Sequence, residues 1–364
     1  MPMKYNIEEL SLEEKIGQMM IIGLNTEDSI EHLDEIINTY KVGGILLYKK
    51  NYKNYEEMIK LINQIKHLNQ KNKIPICICI DQEGGRVNRM PKEFKNIPAA
   101  NRLVKKSIEE DFVKMAGHIT GNMLSKTGIN MDFAPVLDIK RFKDNHAIGD
   151  RAYSEDPKEV SKFGIEYMKA LQEHGIIPIV KHFPGHGATK EDTHMLLPKI
   201  TDIEKLENED MQPFKTAIEN NVEGILVGHL KIPEMTGKLP ASISKRFITK
   251  YIRKKYRYNG LIVADDMRMK GIKLRYGKNR AIQKAFLACN DIIVFKYDGN
   301  IRVIKKIIQL AKKNILEEKR IHKSVMRILK LKEKYQIEDK PVTYDEEFIE
   351  TINKDIEIIR KKVQ

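Results

Sequence analysis

The chain of 364 residues has no tryptophan and only three cysteines, Cys77, Cys79 and Cys289. Three thiols in so long a chain exclude a small disulfide-stapled scaffold. Cys77 and Cys79 alternate within "ICICI" (76–80) and would share one strand face. There, residues i and i+2 stand about 6–7 Å apart and do not bridge without distortion. Buried thiols in a reducing compartment are the expectation. No run of about 18 apolar residues is present, so no membrane span is expected. The opening "MPMKYNIEEL" has neither an apolar core nor a small-residue cleavage site. The expected location is the cytoplasm, unless the chain is the mature form of an exported protein whose leader has been removed. No low-complexity tract or Gly/Ser/Pro-rich linker divides the chain. The Gly-rich dinucleotide fingerprint is missing after the first apolar run, which counts against an open doubly wound sheet.

Charge of one sign is in excess, with 65 Lys and Arg against 51 Asp and Glu, a net +14. The lysines are scattered over helical faces and interleaved with glutamates, and no basic-aromatic stripe accompanies them. A solvated surface is the reading, with no nucleic-acid partner.

What is present is a repeated architecture. Short apolar runs recur at 19–24, 43–48, 74–81, 129–138, 176–182, 224–229, 260–266 and 291–296, each followed by a turn signal and a helical pattern. Near-continuous apolar strands are buried on both faces, as in a parallel sheet. Eight of them alternating with helices predict an α/β fold, a single-domain (β/α)8 TIM-type barrel with extra C-terminal helices. Among the helices, "NYEEMIKLINQIKHL" places Tyr55, Met58, Ile59, Ile62 and Ile65 at helical spacing. "DPKEVSKFGIEYMKALQEHG" offers Asp156 as N-cap, Pro157 at N1, Glu159 at N3 and Gly175 at the C-terminus. "SLEE" (11–14) reads as a capping box. The region after about 297 is expected to add the last barrel helix and to pack around the outside.

A barrel carries its active site at the C-terminal ends of its strands. Polar groups gather there: Asp81, Asp138, Lys181 with His182, His229, and Asp265 with Asp266. The richest stretch is "KHFPGHGATKEDTHMLLP" (181–198). His182 and His186 have the spacing of helical zinc ligands, but Pro184, Gly185 and Gly187 oppose a helix, so no metal is expected. A phosphate cradle would need Lys-Ser/Thr opening a helix, which is absent. A strand-end Lys-His pair and a loop remain, and the loop ends in Asp192 and His194. An Asp beside a His can orient the ring and stabilise the imidazolium.

These motifs together resemble the β-N-acetylhexosaminidases of glycoside hydrolase family 3. They run in order from "LSLEEKIGQMM" through "GGILLYKKN", "IDQEGGRVNR", "GINMDFAPVLDI", "IGDRAYSEDP", "KHFPGHGATKEDTHMLLP", "LPASIS" and "ADDMRMKGI". The resemblance implies a catalytic barrel over 1–340 with a helical extension over 341–364 packed on it. It implies Asp265 as nucleophile and His194, supported by Asp192, as general acid/base. Asp81, Arg89, Arg151, Lys181 and His182 would hold the terminal sugar, with Asp266 and Met269 nearby. The implied activity is that of a retaining exo-β-N-acetylglucosaminidase acting on muropeptide or peptidoglycan fragments or chitooligosaccharides, without cofactor or metal; the sequence leaves the oligomeric state open, with a monomer favoured. Retaining hydrolysis needs a carboxylate nucleophile and a separate proton donor, and an imidazole suits the second task near neutral pH. Arg and Lys beside Asp265 would keep it ionised. Family β-glucosidases lack the Asp-His dyad. Competing readings are a phosphorylase using the same site, a β-glucosidase, a metal-dependent hydrolase and a silent glycan-binding barrel. The chain departs from the family pattern at Ala188, Arg268 and Gly228-His229, which bears on what lies beyond the terminal sugar.

Overall fold

In the computed structural model, residues 4–24, 30–107, 111–142, 145–189, 197–297, 302–313 and 315–363 are described. The strands are β1 (Met20–Gly23), β2 (Gly44–Leu46), β3 (Cys77–Ile80), β4 (Met131–Asp132), β5 (Ile177–Phe183), β6 (Gly224–Val227), β7 (Leu261–Ala264) and β8 (Ile292–Lys296). They close into one parallel barrel in sequence order, with β1 paired to both β2 and β8. Strand residues are almost all buried, as continuous apolar runs require when one face fills the barrel and the other meets helices. Cys77 and Cys79 are free, buried thiols on β3.

Each apolar run becomes a strand, but β4 is far shorter than 129–138 suggests. Pro135 has no N–H to give to a ladder. Beyond Asp132 the chain follows β5 through single contacts, Leu137 N to Lys181 O at 2.7 Å and Lys181 N to Pro135 O at 3.2 Å. That path still delivers Asp138 to the mouth.

Two helices start where the sequence encodes their caps. Ser11 Oγ accepts from Glu14 N at 3.1 Å and Glu14 Oε2 accepts from Ser11 N at 2.8 Å, a complete capping box. Asp156 caps helix Pro157–Glu173 by accepting from Lys158 N at 2.8 Å, whereas Glu159 turns to Ser154 Oγ. Tyr55, Met58, Ile59, Ile62 and Ile65 form the buried face of helix Tyr55–Asn69.

The C-terminal region does not only wrap the outside. Helix Glu318–Lys334 crosses the N-terminal mouth of the barrel. Lys332 Nζ donates to Gln18 Oε1 (2.8 Å), Gly43 O (2.9 Å) and Pro75 O (2.6 Å), groups just ahead of β1, β2 and β3. Ser324 and Arg327 bind Asp291, just ahead of β8. Helix Glu346–Lys362 does pack laterally, with Phe348 against Phe94 and Asn353 bonded to the backbone of Glu93 and Lys95.

Candidate active site

The C-terminal mouth holds a cavity of about 590 Å³. Its walls bring together Asp81, Arg89, Arg151, Lys181, His182, Asp265 and Met269, residues spread over almost 190 positions of sequence. Asp192 and His194 lie outside the described residues. The preceding loop is held by hydrogen bonds through Thr189. His186 N donates to Asp138 Oδ1 at 2.6 Å, and Asn145 Nδ2 binds the carbonyls of His186 (3.2 Å) and Thr189 (2.9 Å). A Cβ on Gly187 would stand 1.8 Å from Ile139 O, so only glycine lets the loop lie this close to the strand-end backbone.

Two charge networks build the floor. In the first, Lys181 Nζ bridges Asp81 Oδ1 (2.7 Å) and Glu83 Oε1 (2.6 Å). Arg151 forks onto Glu83, Nε to Oε2 at 2.7 Å and Nη2 to Oε1 at 2.8 Å. Burial alone would raise the Glu83 carboxyl, but Arg151 and then Lys181 outweigh it and hold the group far below the usual carboxylate range. Arg151 and Lys181 are raised in return, the acids overcoming the burial that opposes their charge. Arg86 secures this side: it pairs with Asp150 at 2.7 Å and donates to the carbonyls of His146, Ala147 and Ile148.

The second network orients histidines. Asp138, fully buried, holds His182 Nδ1 at 2.6 Å. His229 joins Ser242 Oγ at 2.7 Å and the carbonyl of Asp266 at 3.0 Å. Asp265 follows β7, and its Oδ1 accepts from Asp266 N at 2.8 Å. Its burial opposes ionisation, yet His229, His182, that backbone N–H and Lys181 bring its carboxyl below the ordinary value. His229 and His182 contribute more than Lys181 to this lowering. Asp266 behaves oppositely. Burial pushes it up to about 6, although Arg268 N bonds Oδ1 at 2.9 Å and Lys296 Nζ stands 3.9 Å from Oδ2. Two neighbouring carboxyls are thus driven apart, Asp265 below the ordinary carboxylate value and Asp266 above it, which is how acid and base roles separate.

β5 slips register against β6 between Val180 and Phe183. At this irregularity both Lys181 and His182 reach the mouth, where a regular strand would send one away. The peptide bonds Ala134–Pro135, Lys181–His182 and Phe183–Pro184 are cis. Among the described residues no three His, Cys, Asp or Glu side chains are set to hold a metal ion. Glu83, Arg86, Tyr48 and Lys296 were not singled out from the sequence. Glu83 lies inside a quoted motif, two residues from Asp81, and only that proximity signals it. Lys296 Nζ stands 4.7 Å over the Tyr48 ring, closing the β2–β8 side of the cavity.

A closed parallel barrel with a carboxylate among oriented histidines, and with paired acids and cations on its mouth, has the layout of an enzyme active site at the C-terminal ends of barrel strands. The chain belongs to glycosyl hydrolase family 3: the family's N-terminal domain matches residues 11–331. It is 31% identical over 328 residues to beta-hexosaminidase A of Pseudoalteromonas piscicida, across 83% of this chain and 55% of that protein. A beta-hexosaminidase of Hydrogenovibrio crunogenus is 31% identical over 71% of this chain and 74% of its own length. The structure of a family 3 beta-N-acetylglucosaminidase from Paenibacillus sp. str. FPU-7 superposes with a TM-score of 0.88 at 29% identity, covering 97% of this chain and 69% of that one. The chain thus spans little more than half the length of one of these relatives.

Proposed function

We propose that the chain is a retaining exo-β-N-acetylglucosaminidase that removes terminal, non-reducing GlcNAc from oligosaccharides such as muropeptide fragments or chitooligosaccharides. The observation that carries this reading is Asp265, a half-buried carboxylate whose pKa is held below the ordinary value on the wall of a sugar-sized cavity. Its oxygen attacks the anomeric carbon and the bond to the leaving oxygen breaks. His194, backed by Asp192, gives that oxygen its proton and then takes one from the water that opens the glycosyl ester. Asp81, Lys181, Arg151 and His182 hold the hydroxyls and N-acetyl group. The hexosaminidase names of two relatives support a hexosamine as the sugar, and the name of the Paenibacillus enzyme supports GlcNAc. The buried free thiols Cys77 and Cys79 support a reducing, cytoplasmic location.

The test is nitrophenol release from the β-GlcNAc and β-glucose nitrophenyl glycosides, in chelator, with and without phosphate. Preference for GlcNAc, free GlcNAc as product in both buffers, and a loss of about 10⁴-fold or more in Asp265→Asn are expected. His194→Ala should suffer less on this activated leaving group than on a natural disaccharide. An Asp265→Asn enzyme as active as wild type would overturn the nucleophile, and GlcNAc 1-phosphate as product would make the enzyme a phosphorylase.

A further inference from the structure

The N-terminal face of the barrel, opposite the active site, carries a second cavity of about 410 Å³ between the turns that lead into β6 and β7 and helix Glu318–Lys334. Four cations line it, Arg257, Arg327, Lys330 and Lys334, against one acid, Glu223. Two of the four are neutralised from beneath. Lys334 Nζ lies 2.6 Å from Glu223 Oε1, and Arg327 Nη1 lies 3.2 Å from Asp291 Oδ1. Glu223 is fully engaged, since Gln172 Nε2 holds its other oxygen at 2.7 Å. Among the described residues, Arg257 and Lys330 have no ion-pair or hydrogen-bond partner, and both are exposed.

Arg257 also sits where an arginine is unusual. It follows the end of helix Phe247–Lys255 at φ 51°, a left-handed position that glycine or asparagine fills at less cost. The side-chain amides of Asn221 and Asn259, which bond to none of the described residues, line the same cavity. A second hollow of about 490 Å³, which shares Asn221, Glu223 and Lys334 with the first, prolongs it past Tyr335. The result is an elongated groove in which two of four cations, Arg257 and Lys330, carry uncompensated positive charge. Its only acid is already paired. Guanidinium and ammonium groups around a concave site match the multiply charged oxygens of phosphate esters and phosphate chains.

We propose that this groove is a non-catalytic binding site for a phosphate-bearing polyanion, with Arg257 and Lys330 as its principal contacts and Arg327 and Lys334 as its rim. It is separate from the sugar site and independent of the reaction performed there.

The experiment is calorimetric titration of the full chain with inorganic tripolyphosphate at low and moderate salt, with citrate as the carboxylate comparison. Wild type, the double variant R257M/K330M, and a control double variant K354M/K361M on the outer C-terminal helix would be compared. Saturable one-site binding of tripolyphosphate is expected, weakened at least about tenfold in R257M/K330M and unchanged in the control. Hydrolysis of the nitrophenyl β-GlcNAc glycoside should be the same in all three proteins, which also shows that the variants fold. Absence of saturable binding to wild type would overturn the proposal. So would equal weakening in the control, which would mean attraction to the +14 net charge at large. Citrate binding as tight as tripolyphosphate would overturn the phosphate assignment.

Discussion

Glu83 is the residue on which the sugar side of the mouth turns. It is one buried carboxylate shared by two buried cations, with 6% of its side chain exposed. Removing its charge leaves Arg151 without a carboxylate and Lys181 with Asp81 alone. Glu83→Gln should cost about 3–5 kcal/mol in urea unfolding and raise KM more than it lowers kcat. A loss within experimental error would show that the cations find other partners. His186 makes a pH prediction. Burial, outweighing the pull of Asp138, lowers its imidazole to about 4. Between pH 6.5 and 4 the unfolded chain takes up a proton that the folded chain refuses, so stability falls as pH drops through this window, by up to about 3 kcal/mol. Above pH 6.5 both states are neutral and the effect vanishes. In His186→Asn, the melting temperature should fall less steeply from pH 6.5 to 4 than in wild type. Parallel slopes would mean that His186 charges in place. Asp265, Lys181 and His182 were legible from the sequence because charged groups ending apolar runs have few bland explanations. Glu83 was not, because its meaning lies in Lys181 and Arg151, about 100 and 70 positions away.

At the scale of elements, local signals proved the most readable. A capping box needs only residues three apart, so "SLEE" states its own geometry, and Ser11→Ala should cost about 1 kcal/mol by thermal unfolding. Strand β4 shows the opposite case. Its apolar run is long, but one proline ends the ladder after Asp132, and hydropathy carries no record of N–H groups. The slip in β5 was equally silent, since register depends on the partner strand. The glycine that seats the following loop gives another test. Gly187→Ala must move either its loop or Ile139 O. GlcNAc-glycoside hydrolysis should then fall at least about tenfold while the unfolding transition stays cooperative, since a displacement of about 1 Å at a site can cost 10²-fold. Full activity would show that the loop tolerates the shift.

At the scale of the whole molecule, Lys332 closes the barrel from below. It is 1% exposed, whereas Lys330 and Lys334 on the same helix are exposed. Burial lowers its ammonium, yet it meets three acceptors from three strand entrances. Lys332→Met would leave Gln18 Oε1, Gly43 O and Pro75 O with fewer donors, and should lower stability by about 2–4 kcal/mol in urea. A neutral result would mean that water replaces the ammonium. By itself the sequence determined the eight-strand barrel, the starts of its capped helices, and the strand-end residues that line the cavity at one mouth. Each follows from periodicity, a cap or the place where an apolar run stops, all properties of neighbours along the chain. Only the tertiary structure decided which cation neutralises which acid, that His229 and His182 lower the Asp265 carboxyl more than Lys181 does, and which one lysine of a basic helix is buried. Those outcomes depend on burial and on pairings across the barrel, where a few ångströms decide between a screened surface charge and a desolvated, paired one.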